Sequence, residues 1–140
     1  MIYHAVRLSF RPEIPTEDRE DGLERLRTMG REIEVVESWC VGRDVGGDFE
    51  YGAIYALSDI EAYKVYMNHP VHLDTDAAGL PLVSSFVSLD LTDDEDPAIA
   101  DKIAEVHRTR YENRPDILEL VGNLESYTGA GVPDGGAASK

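Results

Sequence analysis

Four side chains in this sequence have the types and spacing for proton-transfer chemistry. Tyr66, His69 and His72 lie in the stretch Tyr66-Met67-Asn68-His69-Pro70-Val71-His72, and His4 lies near the start of the chain. An imidazole titrates nearer neutrality than any other side chain, so His72 can serve as a general base. A phenol can donate its hydrogen to an oxygen that gains charge, and Tyr66 suits that part. Pro70 lets both aim at one point. The residue before a proline disfavours the α region, so a helix arriving here ends near Asn68 or His69. Pro70 then suits the first position of a second helix, where no N–H is needed. The competing reading is that His69 and His72 only cap helix ends and bind carbonyls to fix the corner. A metal would need more than His69-x-x-His72 plus His4: the pair spans a proline, and no cysteine cluster or acidic motif joins it. No metal is expected, and no P-loop or dinucleotide fingerprint is present.

The elements that position these groups follow from periodicity. Residues 2–10 alternate, with Ile2, His4, Val6, Leu8 and Phe10 on one side, which predicts a strand with one apolar face. His4 is then either a core histidine or a pocket residue, with Val6 and Leu8 on its face. Thr16 as cap, Glu17 and Asp18 in the first turn, and Leu23, Leu26, Met29 and Ile33 at helical spacing predict a helix over 16–32. Val35 to Val45 and Glu50 to Leu57 read as strands joined at Gly46-Gly47-Asp48. Cys40 is expected as a small buried residue, not a nucleophile. Ser58 with Glu61 matches a capping box, so a second helix runs from about 59 to the corner. Its core stripe is Ile60, Tyr63 and Met67, with Tyr66 beside it. Residues 71–81 form a short helix or irregular turn. A fourth strand runs from Val83 to Leu91, with Phe86, Ser88 and Asp90 on one face and Ser85, Val87, Leu89 and Leu91 on the other.

The order β-α-β-β-α-β is that of a ferredoxin-like α+β fold. Its helices cover one sheet face. Apolar residues on both faces of two strands predict that the second face is buried by another copy, giving a homodimer. After the acidic break Asp93-Asp94-Glu95-Asp96, the stripe Ile99, Ile103 and Val106 predicts a helix over 97–112, with His107 in solvent. A shorter helix starts at Pro115 and stops at Gly122. This extension, 93–127, is too small to bury a core alone, so it must pack on residues 1–92 or on a partner. Residues 128–140 have the composition of a disordered tail.

The charge balance excludes some partners. The chain has 140 residues, 28 acidic against 13 basic, and a net charge of −15, which disfavours nucleic acid and anionic membrane surfaces. No apolar run approaches a membrane span, and the start lacks a signal-peptide pattern. The single cysteine fits a reducing cytoplasm.

Three stretches together resemble one family. They are Met1-Ile2-Tyr3-His4-Ala5-Val6-Arg7-Leu8-Ser9-Phe10, Gly42-Arg43-Asp44-Val45 after the second strand, and the Tyr66 to His72 corner. They resemble the stress-responsive A/B barrel (Dabb) domain over about residues 1–92. The resemblance implies a dimeric α+β barrel built from two ferredoxin-like subunits. The family includes stress-induced plant proteins and a plant polyketide cyclase, olivetolic acid cyclase, which closes a linear polyketide thioester by aldol condensation. Carried over by motif, that cyclase's histidine and tyrosine fall on His72 and Tyr66, and a pocket histidine of its first strand falls on His4. A further pocket histidine of the cyclase is replaced here by Ala53, and residues 93–140 have no counterpart in it. The expectation is a cofactor-independent cyclase, isomerase or lyase for a small hydrophobic, oxygenated molecule. His72 is its base and Tyr66 its hydrogen-bond donor, and His4, Val6, Leu8 and His69 line the substrate. The alternative is a non-catalytic stress-response module that binds a ligand or a protein, with the extension over the pocket mouth or across to the partner.

Overall fold

The computed structural model describes residues 1–133. Strand β1 (Ile2–Phe10) leads to helix α1 (Thr16–Glu32), strands β2 (Val36–Arg43) and β3 (Tyr51–Leu57), helices α2 (Ile60–Asn68) and α3 (Pro70–Gly79), and strand β4 (Val83–Thr92). Helices α4 (Ile99–Asn113) and α5 (Pro115–Gly122) and a short strand β5 (Ser126–Gly129) follow. The strands lie in the order β2-β3-β1-β4-β5, the first four antiparallel and β5 parallel to β4. The β-α-β-β-α-β core is the ferredoxin-like arrangement expected.

Register decides which side chains meet. On β1, His4 stands opposite Tyr55 of β3 and Asp90 of β4, and Val6 opposite Ala53 and Ser88. Because strand side chains alternate, these residues share the face that the helices cover. Ile2, Val6, Met29, Ile33, Tyr55, Tyr63, Tyr66, Met67, Ile103 and Val106 form the main core there. Leu8 instead joins Phe10, Leu23 and Val83 in a second cluster. Leu80, Tyr111, Ile117 and Val121 form a third, which docks the extension against the domain. The other sheet face is open and apolar, presenting Tyr3, Ile54, Leu89 and Leu91, the last 69% exposed.

Several local expectations need correction. The first helix has Pro15 before it and no side-chain cap, with Thr16 already inside. Asp59, not Ser58, caps α2, accepting from the Ala62 amide at 2.8 Å; its carboxylate sits one residue closer to the free amides than the Ser58 hydroxyl. Cys40 is exposed in the single chain, since it shares the open sheet face. Residues 128–133 are ordered: Thr128 and Gly129 pair with Val87 and Ser88, and Val132 is buried. The rest of the expected tail lies outside the described residues. Among those residues, no helix is long and apolar enough to cross a membrane.

One close approach fixes α1 on β2. A Cβ on Gly30 would stand 2.2 Å from the Trp39 ring. Alanine is favoured over glycine in a helix by about 1 kcal/mol, but overpacking of about 1–3 kcal/mol opposes it. At this distance the clash wins. Gly30→Ala is expected to lower stability by about 1 kcal/mol net, read as a drop in urea midpoint by fluorescence of the sole tryptophan, Trp39. An unchanged or raised midpoint would show that the ring can move aside.

Candidate functional site

The proline corner forms as the sequence requires. His69 is extended, at φ −66° and ψ 137°, and ends α2, and Pro70 opens α3. His69 Nδ1 accepts from the Val71 amide at 3.1 Å. His69 is therefore a helix cap and does not reach the cavity described below. Leu8 does not reach it either, because it packs at the other end of the sheet. His72 turns inward, and its Nδ1 lies 3.0 Å from the Tyr66 carbonyl. A carbonyl only accepts, so Nδ1 carries the proton and Nε2 holds the lone pair, 3.5 Å from Asp76 Oδ2.

His4, Val6, Tyr66 and His72 do come together, around a cavity of about 60 Å³ between the sheet and the helices. Phe86 and Ser88 of β4 close one side, and Tyr111, Val121 and Tyr127 of the extension close another. Tyr66 sits between the two inward histidines, its ring centroid 5.5 Å from that of His4 and 4.6 Å from that of His72.

Two hydrogen-bond systems support the cavity. In the first, His4 Nδ1 lies 2.7 Å from Asp90 Oδ1, and the Tyr63 hydroxyl lies 3.0 Å from Asp90 Oδ2 and 2.9 Å from His107 Nε2. In the second, Asp76 faces the His72 ring and pairs with the Arg110 guanidinium, whose Nε donates to the Met67 carbonyl at 2.8 Å. The expectation that His107 faces solvent is overturned, for the ring is only 4% exposed. Tyr63, Asp76, Asp90, His107 and Arg110 were not singled out from sequence. A usable signal existed for three of them. Asp90 shares a strand face with Phe86 and Ser88, and His107 and Arg110 continue the stripe of Ile103 and Val106.

Burial sets the protonation states. It lowers His72 to about 3, against the opposing pull of Asp76. It also lowers His107 to about 4, with nearby His4 adding to the effect. Both rings are neutral near pH 7. Burial alone would raise Asp90, but His4 and Tyr63 outweigh it and hold the carboxyl below its ordinary value. Asp76 is likewise held down by Arg110 and His72 against its burial. Burial lifts Tyr66 well above an ordinary phenol, so its hydroxyl stays a donor. Among the described residues, no group of three or more His, Cys, Asp or Glu is placed to hold a metal ion.

These states make stability depend on acid. Unfolded imidazoles bind protons near pH 6.5, whereas His72 and His107 do so only near 3 and 4 in the fold. Between those values the unfolded chain holds more protons, so stability is complete above about pH 6.5 and is lost as pH falls toward the folded values. At pH 5 the expected loss is about 2 kcal/mol per histidine. The depressed aspartates add to the loss only at lower pH. Urea titrations at pH 7.5 and 5 measure this, and coincident curves would show that the rings are not buried neutral.

Among curated proteins none matches the sequence. A Dabb family protein from Mesorhizobium loti with a ferredoxin-like fold is similar at 21% identity and TM-score 0.59, covering 65% of this chain and 94% of its own. A dimeric ferredoxin-like protein of unknown function from Thermobifida fusca is similar at 18% identity and TM-score 0.59, covering 65% and 89%. The hydroxynitrile lyase of Passiflora edulis is similar at 13% identity and TM-score 0.61, covering 67% and 94%. Residues 2–93 match the stress responsive A/B barrel domain, and the chain therefore belongs to the Dabb family.

Proposed function

We propose that this chain is a homodimeric, cytoplasmic enzyme that moves a proton on a small oxygenated molecule without a cofactor, as a lyase or isomerase. The observation that carries this reading is the convergence of His4, Tyr66 and His72 on one cavity with apolar walls such as Val6 and Phe86. Asp90 holds the His4 Nδ1 proton, which leaves Nε2 as a lone pair. On this His–Asp pairing we assign the base role to His4. His72 was the base expected from sequence, but burial to about 3 makes it a weak one near pH 7. In the proposed step His4 Nε2 takes a proton from a carbon beside a carbonyl, or from a hydroxyl whose oxygen then forms a carbonyl as the C–C bond to a carbon leaving group breaks. Tyr66 donates to the oxygen that becomes negative or carbonyl-like. His72 Nε2 accepts from a substrate hydroxyl. The proton then returns from His4 to the product or to the leaving group.

Size argues for a small substrate. Drug-sized ligands take about 300–1,000 Å³, far above the roughly 60 Å³ here. A polyketide cyclase reaction would need the extension to move, whereas a lyase acting on a few-carbon molecule needs far less room. The fold likeness to a hydroxynitrile lyase agrees with that class. The same small, covered cavity also favours a second reading, a non-catalytic module that holds a small ligand.

The dimer reading rests on the open face. Tyr3, Ile54, Leu89 and Leu91 are exposed together, and structural relatives are described as dimeric. Light scattering should give twice the chain mass, and Leu89→Glu should shift it to the monomer. A monomeric wild type would end this part of the proposal.

Proton transfer is tested by incubating the protein in heavy water with small ketones, aldehydes, hydroxynitriles and β-keto thioesters, following deuterium uptake and bond cleavage by NMR. His4→Ala is expected to lose about 10²–10⁴-fold in rate, and Tyr66→Phe about 10²-fold. No exchange or cleavage with any compound, alongside ligand-induced stabilisation that Tyr66→Phe abolishes, would replace the enzyme by the binding module.

A further inference from the structure

The buried chain His107–Tyr63–Asp90–His4 runs out of the domain that the family shares. His107 stands on α4, beyond residue 93 where the family match ends. The direction of each bond can be worked out. Asp90 is held ionised and can only accept, so it takes the His4 Nδ1 proton at 2.7 Å and a hydrogen from Tyr63 at 3.0 Å. Tyr63 has one hydrogen. Once that is given to Asp90, its oxygen can only accept from His107 Nε2, at 2.9 Å. His107 must then carry its proton on Nε2 and leave Nδ1 bare.

An independent observation agrees. His107 Nδ1 is the buried side-chain atom left without a hydrogen-bond partner among the described residues. A bare lone pair is the cheaper thing to leave there. The opposite tautomer would strand an N–H in the interior and draw Tyr63's hydrogen away from Asp90, two penalties for one proton. The nearby charges do not compete, because Arg110 is engaged with Asp76 and the Met67 carbonyl.

We infer that His107 is a positioning residue for the cavity: acting through Tyr63, it fixes the orientation of Asp90 and tempers the bond that Asp90 accepts from His4 Nδ1, and so tunes the His4 ring that borders the cavity. This rests on the reading of His4 as the base. It makes the C-terminal extension part of the site and not only its cover. A protein carrying only the shared domain would lack His107, which also borders the cavity itself.

The test is NMR of the full-length protein with ¹⁵N-labelled histidine at pH 7.5. The expected pattern is opposite tautomers at the two ends, Nδ1–H for His4 and Nε2–H for His107. In Tyr63→Phe, Asp90 loses one of its two donors, so its bond from His4 tightens and the His4 Nδ1–H resonance moves downfield. In His107→Phe the same resonance moves the same way by less, because Tyr63 still donates but is less polarised. His107→Gln, which keeps an N–H donor, should restore the wild-type position, a rescue that loss of packing alone would not give. Tyr63→Phe removes a single oxygen and keeps the test alive should His107→Phe not fold. His107 protonated on Nδ1, or a His4 signal unmoved in Tyr63→Phe, would overturn the inference. Failure of the proton-transfer assays alongside the expected NMR pattern would remove the enzymatic reading and leave the positioning chain standing.

Discussion

The site depends on burying one guanidinium. Arg110 is 3% exposed, paired with Asp76 and bonded to the Met67 carbonyl. A buried ion pair adds little net stability over apolar packing, but removing one partner costs about 3–5 kcal/mol because the other charge is left alone. The pair therefore specifies position more than it adds strength. It ties α4 to the end of α2 and to α3 at once. With α4 fixed there, His107 reaches Tyr63, Tyr111 reaches the cavity, and the third core cluster around Ile117 has a surface to pack on.

The same arrangement separates two kinds of histidine. His72 gives its Nδ1 proton to a backbone carbonyl, which does not stabilise a charged ring as a carboxylate does, and burial keeps that ring neutral. His4 gives its proton to a carboxylate that a second donor also holds. Two imidazoles flanking one tyrosine thus have different hydrogen-bond partners although both are buried. Their environments differ because one lies on a strand opposite Asp90, while the other lies on a helix whose nearest acid is already claimed by Arg110.

The sequence was informative where local rules apply. Alternation along β1 placed His4 on the covered face, and Pro70 located the break between α2 and α3 within a residue. Tyr66 and His72, which both line the cavity, were singled out because their spacing about the proline is itself the signal. One miss is local, and the others came from long-range partnership. His69 was named as lining substrate, yet its ring caps the helix that Pro70 opens, one of the two roles its position allowed. Asp90 and Tyr63 looked like an acid near a strand end and a core aromatic, since nothing local tells that register sets Asp90 opposite His4. His107 and Arg110 looked like polar residues on an amphipathic helix. Their burial follows from where α4 docks, and the docking is written in residues far apart along the chain. Strand β5 has only four residues, Ser126 to Gly129, too few for periodicity to register.

That short strand has a consequence for the chain's colloidal behaviour. An unpaired strand edge is a template for other strands, and proteins blunt it to avoid aggregation. Here β5 occupies β4 from Ser85 to Ser88 and stops at Gly129, whose φ of +125° and contact with the Ser88 backbone leave no room for a side chain. A four-residue strand ending in that kink offers little for a further strand to extend. The C-terminal segment thus terminates the sheet on this side and guards it against fibre-like growth, a protection that net repulsion between acidic surfaces would supply less well as salt rises.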